Sequence, residues 1–454
     1  MQSNEKVIVR QEGSSLFRGI RKGKLVLVLA SVVVTGFLCV ACQGKKAVQA
    51  DDENVSFTLW HSYVGADQRA EFMTRRMEQF KAANPDITIE EQKIPRDQYQ
   101  TRLKTQAAAG ELPDAFIAWP NTPVREFAEA GLLADINGLL SRESAWKDSL
   151  LPIALNEFTV DGKTYSVGLG IAVTSVFFYN KALFEKYNIK VPQTYEELKT
   201  AIAVFKQNGI IPIALGNKAK WPAQSSLFSI IANRVTGSQW LTDALANKNG
   251  AKFTDKPFLD ALGVMKELAN LEAFNRDYNS VDDVQCRGYF YREEAAMMIN
   301  GTWVLPDIVA NAPDAVKANI EMTTFPVISG GKGEPETLSG VSSTGVVINA
   351  KASPAQRAAI EKLIMFLTVD EAQKMYMEYT IPVSSKTVEP DPGAVDSVYA
   401  KLVDLMKAHP AMVTVYDSAL NSEQTEIINN GLQGIMLGMQ TPEEIAKQLA
   451  DTIR

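Results

Sequence analysis

Short apolar strands alternate with amphipathic helices from residue 55 onwards. Residues 55–59, 87–91 and 115–118 have the composition of strands, and the helix between the first two carries Met73, Met77 and Phe80 on one face. Strands that alternate with helices form βαβ units around a mostly parallel sheet. We therefore predict an α/β fold in which helices flank each sheet.

The chain is too long for one hydrophobic core. It has 454 residues, whereas single cores stop growing at about 250 to 300 residues. Two extended segments, residues 165–179 and the glycine-rich residues 329–333, separate one α/β set from the next and are predicted to cross between two lobes. We predict an N-terminal lobe of residues 54–174 and 326–368, and a C-terminal lobe of residues 175–325 and 369–454.

The N-terminal segment has the parts of an export signal. Arg21 and Lys24 belong to a basic stretch, residues 25–40 are almost wholly apolar, and Ala41 is the small residue before Cys42. The segment resembles a bacterial lipoprotein signal, which implies a signal peptide of residues 1–41, lipidation of Cys42 and a tether of residues 42–53. Cys39 takes the position at which such signals usually carry leucine. An uncleaved signal anchor is the alternative, and both place the folded part outside the cytoplasm.

Composition excludes several classes of function. The formal charge is −7 for the whole chain and about −11 once the basic leader is removed, which argues against a nucleic-acid partner. His61 and His409 are the only two histidines, so a zinc site with several histidines is excluded. Cys286 has no cysteine partner in the mature chain. We expect no metal and no cofactor.

Tryptophans follow the strands at one end of each predicted sheet, which is where open α/β sheets bind ligands. The four that do so are Trp60, Trp119, Trp221 and Trp303. Flat indole rings at loops cover apolar surface, including the C–H faces of pyranose rings. Two tryptophans in each lobe therefore predict a shared ligand cleft, although for any one of them taken singly a core position is the better interpretation.

Polar side chains near these tryptophans supply candidate hydrogen-bond partners for sugar hydroxyls. They are Tyr63, Asn121, Asn217, Asn300 and Ser342. Each of them, taken singly, also fits a turn or a helix cap. Aromatic cages bind quaternary ammonium groups as well, so a ligand of the betaine or choline type is an alternative.

Several motifs resemble a known family. They are residues 131–136, residues 212–216 leading to Trp221, residues 296–303 and residues 340–345. In this order, behind a lipoprotein leader, they resemble the extracellular solute-binding proteins of family 1. That family is the carbohydrate branch of ABC importers and includes maltodextrin-binding protein.

The resemblance implies two α/β lobes that close on a sugar by a hinge, and a loaded protein that docks on membrane permease subunits. It implies a monomeric binding protein rather than an enzyme, lipid-anchored on the extracytoplasmic face of the membrane. Trp119 and Trp303 match stacking positions of the family, and Trp60 matches the end of its first strand. Thr122 and Pro123 replace an acidic-basic pair of the maltodextrin branch, so the resemblance does not identify the sugar. A secreted glycoside hydrolase, with two carboxylates across a sugar bond, is the competing class.

Overall fold

The computed structural model describes residues 54–65, 68–391, 393–409 and 411–453. The predicted signal peptide, the tether and Cys42 lie outside these ranges. Across the ranges described, none of the helices combines the length and the apolar character that a membrane crossing requires.

The described chain forms short strands and many helices. The strands are β1 (Val55–His61), β2 (Ile87–Lys93), β3 (Ala115–Ala118), β4 (Leu133–Ala134), β5 (Thr159–Val160), β6 (Lys163–Thr164), β7 (Ile171–Val173), β8 (Val176–Asn180), β9 (Ile211–Ala214), β10 (Ala295–Asn300), β11 (Ile320–Thr323), β12 (Thr337–Ser342), β13 (Gly345–Asn349) and β14 (Ala411–Val413). The α-helices are α1 (Gln68–Ala83), α2 (Arg96–Ala109), α3 (Thr122–Glu129), α4 (Asn137–Arg142), α5 (Ser144–Ser149), α6 (Pro152–Asn156), α7 (Lys181–Lys186), α8 (Tyr195–Gln207), α9 (Ser229–Thr236), α10 (Trp240–Leu245), α11 (Lys256–Asn270), α12 (Asp283–Tyr291), α13 (Leu305–Asn311), α14 (Asp314–Lys317), α15 (Pro354–Thr368), α16 (Asp370–Glu378), α17 (Ser397–Ala408), α18 (Tyr416–Ala419), α19 (Ser422–Met436) and α20 (Pro442–Ala450). A π-helical segment (Ala223–Phe228) and a 3-10 turn (Thr302–Val304) complete them.

The first lobe is built on a five-stranded sheet of order β2-β1-β3-β13-β4. Strand β1 runs parallel to β2 and β3, while β13 runs antiparallel to β3 and β4. Met73, Met77 and Phe80 of α1 are buried against this sheet, as their spacing predicts. The apolar stripe of α1 thus fixes how the helix packs.

The second lobe is built on a four-stranded sheet of order β11-β8-β10-β9. Strands β9 and β10 are parallel, whereas β8 is antiparallel to both β10 and β11. Helix α8 packs on it through Leu198, Ile202 and Phe205, and begins with the capping box of Thr194 and Glu197. The two-lobe α/β fold is therefore confirmed. Both sheets are mixed, because the strand that follows each crossing runs antiparallel to its neighbours. These strands are β13 in the first lobe and β8 in the second.

Two strands that lie side by side connect the lobes. Strand β7 pairs antiparallel with β12, and each is followed after two residues by a strand of a lobe sheet, β8 and β13 respectively. The return strand is therefore β12, which follows the glycine-rich segment instead of lying in it. That segment packs on α9: a Cβ atom on Gly331 would lie 2.1 Å from the carbonyl oxygen of Arg234.

One stretch past the predicted boundary at residue 369 packs on the first lobe. The Tyr376 ring of α16 lies 4.0 Å from the Phe72 ring of α1, and Tyr379 and Ile381 join the same buried cluster. The reason is the apolar face of α16, which covers α1. The predicted lobe boundaries otherwise stay a prediction.

Candidate functional site

A cavity of about 330 Å³, here called the cleft cavity, lies between the two lobes. Helices α2 and α3 of the first lobe line it. The second lobe contributes the π-helical segment, the 3-10 turn and α18, and the crossing strands β7 and β12 contribute further residues. Ligand pockets commonly have volumes of about 300 to 1,000 Å³, so the cleft cavity is large enough to be one.

Trp221 and Trp303 form the aromatic surface of the second lobe. Both line the cleft cavity, with ring centroids 5.6 Å apart and ring planes inclined by 66°. No described residue accepts a hydrogen bond from either buried indole N–H. A buried donor without an acceptor is costly, so these two groups favour a ligand that carries oxygen atoms.

Trp119 brings a third indole ring from the first lobe. It follows β3, lines the cleft cavity and packs edge-on against Tyr99, with the ring centroids 5.7 Å apart. The Tyr99 hydroxyl donates to the carbonyls of Trp60 and Ile117, at 2.9 and 3.0 Å. These bonds fix the carboxyl ends of β1 and β3, and thereby the direction in which the loop after β3 carries Trp119.

Arg96, the first residue of α2, lies among the three indole rings. Its guanidinium carbon is 4.0 Å from the ring centroid of Trp221, 5.6 Å from that of Trp303 and 5.5 Å from that of Trp119. Desolvation, and then the positive charge of Arg69, lower its pKa. Arg96 was not predicted from the sequence to line a cavity. The start of α2 just after β2 was the available signal, because this is the same end of the sheet.

Asp417 of α18 presents a carboxylate from the second lobe to the same cavity. Burial raises its pKa to about 6, although Arg96 and the Ser225 hydroxyl act in the opposite direction. Asp417 was not predicted from the sequence either. Nothing in the local sequence connects it with residues so far away along the chain.

Two of the predicted polar residues line the cleft cavity near the crossing strands. The hydroxyls of Tyr63 and Thr344 lie 2.9 Å apart. Ser342 ends β12, and its backbone N–H donates to the Glu157 carboxylate at 2.5 Å, while the pKa of that carboxyl is raised by burial. Ser342 therefore comes from a crossing strand, whereas Tyr63 follows β1 of the first lobe and contacts the link between β12 and β13.

The remaining predicted site residues do not line the cleft cavity. Trp60 lies within β1, where the Arg102 guanidinium is 4.8 Å from its ring centroid. Asn121 precedes α3 with a φ angle of +59°, and its backbone N–H donates to the Glu157 carbonyl. Asn217 is fully buried and holds its loop, accepting from the Ala223 N–H and donating to Asn279.

Asn300 belongs to a buried charge network behind the cleft cavity. Its side-chain amide donates to Asp283 at 2.6 Å, and its own oxygen accepts from the Gly301 N–H. Arg287 lies between Asp283, at 2.5 Å, and Asp307, at 3.1 Å. The two carboxylates raise the pKa of Arg287 and keep it charged, despite burial, which acts in the opposite direction. This network supports the turn that carries Trp303.

The described side chains do not form a metal site. No group of three or more His, Cys, Asp or Glu residues among them is arranged to hold a metal ion. Cys286, the one cysteine in the described ranges, is buried in α12, and burial raises the pKa of its thiol. A buried thiol of this kind is inert.

The chain is similar to proteins that are known to bind sugars. It is 26% identical over 374 residues to the multiple sugar-binding protein of Streptococcus mutans, which covers 81% of this chain and 84% of that protein. A solved structure from work on xylan utilization by Caldanaerobius polysaccharolyticus has a TM-score of 0.81 and 28% identity, and covers 88% of this chain and 100% of that one. The maltose-bound MalE3 of T. maritima has a TM-score of 0.69 and 20% identity, covering 88% and 98%, and shows the same fold.

The family comparison extends over most of the chain. The model that matches residues 75–401 describes bacterial extracellular solute-binding proteins, and such proteins are receptors, not enzymes. The predicted family resemblance and the prediction of a binding protein are confirmed, and the competing hydrolase hypothesis is set aside. With its two α/β lobes and the cavity between them, the chain belongs to the bacterial extracellular solute-binding protein family.

Proposed function

We propose that the protein is the sugar-capturing receptor of an ABC importer. In this proposal an oligosaccharide enters between the lobes, a hinge at β7 and β12 closes on it, and the loaded receptor passes it to the membrane permease. The observation that carries the proposal is that indole rings from both lobes, Trp119 on one side and Trp221 and Trp303 on the other, line one cavity. A ligand favours the closed form only as far as it contacts both lobes there.

Polar groups in the cleft cavity support a sugar as the ligand. The buried indole N–H groups of Trp221 and Trp303 lack acceptors within the described residues, and Arg96 brings further donors to the same place. Asp417 is an acceptor on the opposite lobe. Sugar hydroxyls can both accept and donate, so one sugar can satisfy all of these groups.

A quaternary ammonium ligand is disfavoured next to the indole rings, although four carboxylates also line the cavity, those of Asp97, Glu126, Asp417 and Glu426. Arg96 already places a cation against Trp221, and Arg69 lines the same cavity. A second cation among these rings would be repelled by both arginines, since repulsion between like charges is strong where water is excluded.

A thermal-shift screen tests the proposed function. The probes are xylotriose, chitotriose, maltotriose and stachyose, with choline and glycine betaine as the cationic arm. A ligand at 100 times its Kd stabilises the folded state by about 2.7 kcal/mol. We expect at least one oligosaccharide to raise Tm in this way and neither cation to do so. The proposal would be contradicted if betaine alone raised Tm, or if none of the oligosaccharides raised it.

The mode of attachment is a separate part of the proposal. We place the mature, monomeric protein on the extracytoplasmic face of the membrane, held by a lipid on Cys42, with residues 42–53 as the tether. The family is extracellular, which supports the location. Mass spectrometry of protein extracted from membranes should find Cys42 as a diacylglyceryl-modified first residue. An unmodified N-terminus upstream of Cys42 would refute the anchor and leave the binding function untouched.

A further inference from the structure

Arg96 has donors that no part of the described protein uses. Its guanidinium contacts three indole rings but makes no hydrogen bond and no ion pair with any described residue. Its flat face covers Trp221 at 4.0 Å, so the N–H groups at its edge are left for other acceptors. A guanidinium held by its face in this way is oriented before any ligand arrives.

Among the carboxylates of the second lobe, Asp417 has the largest electrostatic effect on the pKa of Arg96. Both residues line the cleft cavity and influence each other electrostatically, yet they form no direct ion pair. The other charged residues that line the cavity are Arg69, Asp97, Lys104, Glu126 and Glu426. Among the charged residues that line the cavity, Arg96 is the one whose charge has a main effect on the pKa of the Asp417 carboxyl.

We propose that Arg96 and Asp417 are ligand-contacting residues on opposite lobes, bridged by a single sugar that accepts hydrogen bonds from Arg96 and donates one to Asp417. This inference rests on the proposed function and names two contacts that determine specificity within it. In this arrangement the sugar stacks on Trp119 and Trp303, because Arg96 occupies one face of Trp221. Trp221 then acts as a positioning residue for Arg96.

The pair makes binding selective in two ways. The ligand needs a hydrogen-bond acceptor and a hydroxyl donor within the width of the cavity, which a polyol offers and an aliphatic solute does not. Binding also becomes dependent on pH, because the ionised Asp417 accepts a stronger hydrogen bond than the protonated carboxyl group. Affinity is therefore complete well above pH 6 and falls as the carboxyl is protonated below it.

Calorimetry on substituted full-length protein tests the inference, with the oligosaccharide of the four probes that gives the largest thermal shift. Arg96→Gln and Asp417→Asn should each weaken binding about 10- to 100-fold, as expected for losing a hydrogen bond to a charged group. Arg102→Gln is the matched control, since Arg102 lies on the same helix and covers Trp60 outside the cavity. It should bind within twofold of the unsubstituted protein.

A pH series separates ligand contact from a merely structural role. The unsubstituted protein should lose affinity around pH 6, and Asp417→Asn should abolish that dependence. Arg96→Gln removes the cation that favours the ionised carboxyl, so the loss should begin at higher pH. Unchanged affinity in both variants, with normal binding by the unsubstituted protein, would overturn this inference alone. No binding of any probe by the unsubstituted protein would overturn the proposed function with it.

Discussion

At the scale of single residues, we expect the indole rings of the cleft cavity to contribute most of the affinity for a sugar. We expect Trp221→Ala and Trp303→Ala each to weaken oligosaccharide binding by about 1 to 3 kcal/mol, through lost ring contact or through the release of Arg96. Trp60→Phe is the control, because Trp60 lies in β1 away from the cavity. Calorimetry that finds both alanine variants unchanged, or Trp60→Phe equally impaired, would contradict this assignment.

The environment of Glu91 leads us to expect that this residue makes the stability of the folded protein depend on pH. Hydrogen bonds from His61, and then from Lys81, lower its pKa to about 2, although burial opposes them. The folded-state pKa is below the unfolded value, so the stabilisation is complete above about pH 4.5 and is lost as the pH falls towards 2.

Substituting Glu91 should therefore have an effect that depends on pH. Glu91→Gln should lower the free energy of unfolding at pH 7, and its difference from the unsubstituted protein should shrink between pH 4.5 and pH 2. Denaturant unfolding at a series of pH values measures this, with the exposed neighbour Glu90→Gln as control. A difference that stays constant across that range would show that the charge is not responsible.

Some of the residues predicted from the sequence line the cleft cavity and others do not, for physical reasons. Trp119, Trp221 and Trp303 were predictable because they follow strands, and strand ends define the binding edge. Asn217 follows β9 and Asn300 ends β10, yet their amides turn inward to satisfy buried loops and charges. The direction of a side chain after a strand depends on tertiary partners that the local sequence does not contain. The same limitation hid Arg96 and Asp417.

At the scale of elements, a contact between α3 and α19 joins the two lobes. The Ser422 backbone N–H and hydroxyl donate to the two carboxylate oxygens of Glu126, at 2.8 and 2.7 Å, and Lys104 donates to the same hydroxyl at 2.6 Å. Ser422 is the first residue of α19, so the carboxylate also faces the positive end of that helix.

Removing this contact should favour separation of the lobes. We expect Glu126→Gln to weaken oligosaccharide binding by about 0.3 to 1 kcal/mol, the usual size of a charge effect at a helix end. Energy transfer between dyes, one on each lobe, should show fewer closed molecules before sugar is added. Glu129→Gln, exposed on the same helix, is the control. Equal closure in both variants would exclude Glu126 as a contributor.

The segment between β11 and β12 depends on a single arginine of α9. Arg234 is fully buried and donates to the carbonyls of Phe325, Glu334 and Thr337 and to the Thr324 hydroxyl, at 2.8 to 3.1 Å. Burial lowers its pKa to about 10. The guanidinium thus fixes the chain that leads back to the first lobe.

A lysine cannot replace this set of contacts. Arg234→Lys keeps the charge but loses the planar donor fork, so the free energy of unfolding should fall by about 2 to 3 kcal/mol. Arg276→Lys, at an exposed position, should change it by less than about 0.5 kcal/mol. Denaturant unfolding compares the two, and equal stabilities would show that the buried arginine contributes nothing beyond its charge.

At the scale of the whole molecule, the order of strands and helices was readable from the sequence and the way the lobes are joined was not. Apolar spacing identified β1, β2, β3, β9, β10 and β13. Strand β12 was missed because Gly340, Ser342 and their neighbours lack the apolar alternation of a lone strand. Pairing with β7 makes it a strand, and only the folded chain brings the two together.

The central claim is that one sugar lies between the lobes and touches both. Diffraction from crystals grown with the best-binding oligosaccharide tests it directly. We expect one sugar in the cleft cavity, within contact distance of Trp119 on the first lobe and Trp303 on the second. A sugar bound to one lobe only, or elsewhere on the surface with the cavity empty, would contradict it.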